Sequence, residues 1–112
     1  MRVLLFLVII LLTACRDVKE VPGEVLAQEK MSSILVDIHL LEAKMDQLGL
    51  SLDSGDVLYA HLQGLIFEEY GTDSLQYQNS LLYYLQNPGK MESVYNVVID
   101  SLMLREKEHR IE

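Results

Sequence analysis

The sequence predicts an all-α protein: a small bundle of about four helices behind a hydrophobic leader and a short tether. Three observations predict it. Apolar residues recur at spacings of three and four along most of the chain after Gln28, the signature of amphipathic helices. Polar and glycine-containing breaks cut that pattern into four stretches with short connections, as in packed helical bundles. No alternating strand pattern stands outside those stretches; Val97-Val98-Ile99 is the best local β candidate, and it lies inside the fourth helical stripe.

The leader comes first. Arg2 supplies a positive charge, and residues 3–12 are uninterruptedly apolar. Such a run is too short to cross a bilayer, which takes about 20 apolar residues, but it has the length and flanks of a signal-peptide core. It runs into Leu12-Thr13-Ala14-Cys15, where Cys15 is the single cysteine of the chain. A leucine three places before a cysteine, with two small residues between, resembles a bacterial lipobox. The expectation is cleavage before Cys15 and acylation of its thiol and new amino group. Two or more acyl chains hold a protein stably on a membrane. The expected organisation is a signal peptide at 1–14, the lipidated cysteine and tether at 15–26, and the helical domain at 27–112.

Arg16 through Leu26 mixes charge with Pro22-Gly23 and keeps no period, which reads as a tether. The first helix is expected from Gln28, with Met31, Ile34, Leu35, Ile38, Leu41, Met45 and Leu48 on one face. Gly49 stands where a left-handed residue would stop it, with Leu50 placed to fold back on the last turn. Asp53-Ser54-Gly55-Asp56 opens a second helix to about Tyr70, its inner face assigned to Leu58, Leu62, Leu65 and Ile66 with Tyr59 and Phe67 flanking. Asp73 with Gln76 three places on resembles a capping box and starts a third, to Gln86, with Leu75, Leu82 and Tyr83 expected inward and Leu81 and Tyr84 flanking.

Asn87-Pro88 is the sharpest break after the leader. Proline suits the first position of a helix and disfavours helical geometry in the residue before it. A fourth helix therefore runs to about His109, with Met91, Val94, Tyr95, Val98 and Leu102 inward. Its last turns are wholly polar and are expected to fray, although their bases suit the negative end of the helix dipole.

Composition narrows the function. Cleavage after residue 14 would leave 98 of 112 residues, one small domain, and would remove one base and no acid, taking the formal charge from −8 to −9. That charge repels phosphate backbones and anionic headgroups, so nucleic acid is not an expected partner and membrane attachment falls to the lipid. With Cys15 acylated, no thiol is left for a disulfide, a metal or catalysis. No cofactor is expected. The domain is expected to fold as a monomer on its core alone.

The motif string runs Met31, Ile34-Leu35-Val36-Asp37-Ile38-His39-Leu40 and Glu42-Ala43. It continues through Tyr70-Gly71, Tyr77, Ser80-Leu81, Tyr83-Tyr84 and Asn87-Pro88 to Tyr95 and Val98. This resembles short helical lipoproteins of Bacteroidota-type bacteria grouped as domain of unknown function 4296, over roughly residues 22 to 103. The resemblance implies a helical lipoprotein of an envelope with two membranes, and it carries over no catalytic residue. Two positions depart from that pattern. Ala27 stands where a capping Ser or Thr is expected, and Tyr77 replaces the more usual Phe, adding a hydroxyl that needs a partner or solvent.

Asp37, His39 and Glu42 form the one cluster with chemical potential. His39 and Glu42 are three apart and so neighbours on one helix face. They could ligate a metal, or Glu42 could orient an imidazole base; a metal would need further ligands from another helix, with His61 the obvious donor. His61, however, falls near an apolar edge with Leu58 and Leu62. The plainer reading is a structural hydrogen bond at the core margin, with no metal site. Asp37 lies about 200° round the helix from His39, which removes a simple Asp–His dyad. No serine has an adjacent histidine, and the glycines are too isolated for a phosphate loop. Gly64, inside the second helix, fits either a close helix crossing or a small flaw on an exposed face. Tyr83 and Tyr84 point about 100° apart, so Tyr83 and Tyr95 are expected to pack across the Asn87-Pro88 corner.

The resulting expectation is a non-enzymatic, lipid-anchored envelope protein that binds another protein, most naturally on the periplasmic face of the outer membrane. The alternative is a metal-binding or acid–base module centred on His39 and Glu42. A third option, an apolar-ligand carrier, would hollow out a core too small to spare the packing.

Overall fold

The computed structural model describes residues 1–3 and 23–111. Leu12, Thr13, Ala14, Cys15 and most of the tether lie outside those residues. Within residues 23–111 four helices follow in order: α1 (Gln28–Leu48), α2 (Leu52–Glu69), α3 (Ser74–Leu85) and α4 (Pro88–Ile111). The protein is thus a small all-α bundle. Helix α1 is central, packing on both α2 and α4, while α3 lies against α4 and α2.

Local stereochemistry sets the breaks. Gly49 takes φ 58° and Gly71 φ 68°, the left-handed region that a side chain would strain. The Asp73 carboxylate accepts the Gln76 N–H at 2.8 Å, capping α3 as its spacing predicts. Ala27 is the N-cap residue of α1 and offers no side-chain bond, so that helix start is uncapped. Helix α2 begins at Leu52, just before the polar cluster expected to open it. Helix α4 begins at Pro88 and keeps its geometry through the polar tail to Ile111.

On α1 the predicted stripe is buried from Met31 to Leu41, but Met45 is half-buried and Leu48 exposed. The apolar pattern outruns the core. Ser32 and Val36 are also buried, because α1 has neighbours on two sides.

Helix α2 keeps the side that periodicity assigned but buries it unevenly, and α3 turns a different face inward. On α2 the one buried side chain is Phe67, while Leu58, Leu62 and Ile66 are half-buried and Leu65 exposed. On α3, Leu75 and Leu82 are 68% and 56% exposed, and Tyr77, Ser80 and Tyr84 are buried instead. On α3 the segment before α1 accounts for the difference. Leu26 is buried in the core cluster, and its peptide groups need partners there. Its N–H donates to Ser80 Oγ at 2.9 Å, and Tyr84 Oη donates to its carbonyl at 2.6 Å. Ser80 in turn donates to the Gln76 carbonyl at 2.7 Å. These polar demands rotate α3. Val25 packs against the same cluster, so the last residues assigned to the tether join the folded unit.

Tyr95 is exposed, and the ring neighbour of Tyr83 is Tyr84, edge-on at 5.4 Å, in place of the expected Tyr83–Tyr95 contact. A Cβ built on Gly64 meets nothing within 4 Å, so no close helix crossing requires that glycine. Among the described residues no helix is long and apolar enough to cross a membrane.

Candidate functional site

Helix α1 places His39 and Glu42 on one turn. His39 Nδ1 lies 3.4 Å from Glu42 Oε2, with the side chains 35% and 51% exposed. That is longer than a strong charge-assisted bond, which runs about 2.7–2.9 Å, and the site is open to water. Tyr59 on α2 donates to the other Glu42 oxygen, also at 3.4 Å. Its phenol pKa is raised, first by burial and then by the charge and hydrogen bond of Glu42. His61 does not join them. It is exposed on α2 beside a separate depression with Asp53, Ser54, Val57 and Leu58. Among the described residues no group of three His, Cys, Asp or Glu side chains could hold a metal ion.

Glu42 and Tyr59 also border a cleft of about 260 Å³ at the α1–α2 turn. Its other main lining residues are Met45, Asp46, Leu50, Leu52 and Asp56. Leu50 and Leu52 are 45% and 83% exposed, so leucine flanks the left-handed Gly49 turn without being covered by the fold. Leu50 therefore does not fold back into a buried staple. Carboxylates and apolar side chains line the open cleft together. The arrangement can hold a partner side chain that is cationic at one end and aliphatic along its length.

Asp37 faces the opposite side of α1. Tyr70 Oη donates to Asp37 Oδ2 at 2.7 Å, and Arg105 Nη2 approaches Oδ1 at 3.9 Å. One half-buried carboxylate thus ties α1 to the end of α2 and to the tail of α4. The Tyr70 pKa is pushed up to about 12, by burial first and then by the hydrogen bond and charge of Asp37, with Arg105 opposing. Sequence reasoning missed Tyr70 and Arg105 as its partners. The available signal was an acid set within the apolar run Leu35-Val36-Asp37-Ile38, which a helix facing two neighbours half-buries.

Tyr77 packs on Phe67 with ring centroids 5.0 Å apart. Its hydroxyl is not among the sealed polar atoms that lack a partner, so the added oxygen is met by solvent. Burial is the main cause that pushes its pKa up to about 12.

Fold and site together define a small helical domain with open surface clefts. Residues 22–108 match the family described as Domain of unknown function (DUF4296), and the chain belongs to that family. No curated protein and no solved structure matches it.

Proposed function

We propose that this is a lipid-anchored envelope protein whose helical head binds another protein and performs no chemistry of its own. In this reading Cys15 carries the lipid, and the head stands in the periplasm at the outer membrane. The observation that carries the binding role is the uncovered cleft at the α1–α2 turn, where Leu50 and Leu52 stand exposed among three carboxylates. Exposed leucines scattered singly need no explanation, whereas apolar residues grouped in a cleft within a polar frame mark interaction surfaces. The tether supports the same reading, since an adaptor must be held near its partner.

Complementation of a deletion strain tests this. His39→Gln keeps a polar side chain outside the cleft and should rescue. Leu50→Ser with Leu52→Ser should fold normally and fail to rescue. Cys15→Ala should lose acyl label and fail as well. Loss of rescue by folded, abundant His39→Gln would instead favour the acid–base or metal-binding module. Rescue by the double serine variant would remove the cleft from the binding role.

A further inference from the structure

We propose that the occupant of the α1–α2 cleft is a basic, amphipathic protein segment that inserts a lysine or arginine beside an apolar residue. This rests on the protein-binding reading and names the partner's chemistry. The first argument is charge. From Met45 to Gly89 the chain has no lysine or arginine but has Asp46, Asp53, Asp56, Glu68, Glu69 and Asp73. Lys44 borders a different depression, shared with Asp37 and Arg105. A cationic partner is drawn to this end of the bundle, while an anionic lipid or nucleic acid is repelled.

The second argument is shape and chemistry. Glu42, Asp46 and Asp56 line the cleft without converging on a metal-sized point. Met45, Leu50 and Leu52 share the lining with them, giving apolar carbon for a side-chain stem. Lysine and arginine carry three or four methylenes that pack on apolar surface while the charged head reaches polar groups. A bare inorganic cation would leave the leucines unused.

The test uses the lipidated mature chain in nanodiscs of zwitterionic lipid. The probe is a short labelled peptide with lysines between leucines, read by fluorescence anisotropy. The lysine peptide should bind, weaken with salt, and lose about tenfold in affinity when Asp46→Asn and Asp56→Asn are combined. Its counterpart with glutamates for lysines should not bind. Equal binding of the lysine peptide to wild type and the folded double variant would overturn the proposal. So would equally tight competition by spermidine, which has the charge without the apolar neighbour. In cells, a photocrosslinking residue at position 52 should capture a protein through a basic segment. Capture from position 99 on α4, and not from 52, would overturn the cleft assignment and leave protein binding standing. Capture from neither position would overturn both.

Discussion

Tyr84→Phe probes the clip that sets the whole orientation of α3. The substitution keeps the buried ring and removes one oxygen, so no sizeable cavity opens. What remains is the Leu26 carbonyl, buried and stripped of the 2.6 Å bond it accepted. Leaving a buried acceptor unsatisfied costs about 1–3 kcal/mol, well above the net worth of an exposed hydrogen bond. For a domain of this size that is a fall in Tm of roughly 5–20 °C. Ser80→Ala should cost a similar amount, because it orphans the Leu26 N–H on the same residue. The double variant should then cost less than the sum, since one detachment of residues 24–26 relieves both deficits. Urea denaturation of the mature chain gives the free energies, and amide exchange at Leu26 reports the local opening. A Tyr84→Phe change below about 0.5 kcal/mol, with Leu26 exchange unaltered, would refute the claim that this bond holds the segment to α3.

Three further outcomes are expected. Stability should decline between pH 10 and about 12, because Tyr70 and Tyr77 ionise near 12 in the fold but near 10 when unfolded, so only the unfolded state loses protons in that window. Denaturation at several alkaline pH values should show that slope reduced in Tyr70→Phe, and absorbance titration should reveal phenols that ionise late. Ala27→Ser should raise stability by about 0.5–2 kcal/mol by capping α1, measured by thermal melting at neutral pH. Gly64→Ala should add about 1 kcal/mol through helix propensity, since a methyl group there meets open space; a loss on denaturant titration would point to a hidden close contact.

How much of the candidate site was legible follows from range. The His39–Glu42 pair is a helix-spacing relation, and the structure places the two side chains together. The cleft beside them was not legible, because it needs Tyr59 and Asp56 of α2 brought against the last turns of α1. Asp37 was correctly separated from His39, yet its partners Tyr70 and Arg105 lie 33 residues away and beyond, on other helices.

By itself the sequence determined four helices and where they break, because each break is a property of a few adjacent residues. Gly49 and Gly71 can adopt left-handed backbone, Asp73 can cap its own helix, and proline fixes the start at Pro88. Tertiary structure decided which face of α3 is inside. Helix α3 carries Leu75, Tyr77, Leu81, Leu82, Tyr83, Tyr84 and Leu85 around most of its circumference, so its period favours no single side. The choice fell to Ser80 and Tyr84, because the peptide groups of Leu26 had to be hydrogen-bonded once buried, and this rotation of α3 supplies both a hydroxyl acceptor and a hydroxyl donor.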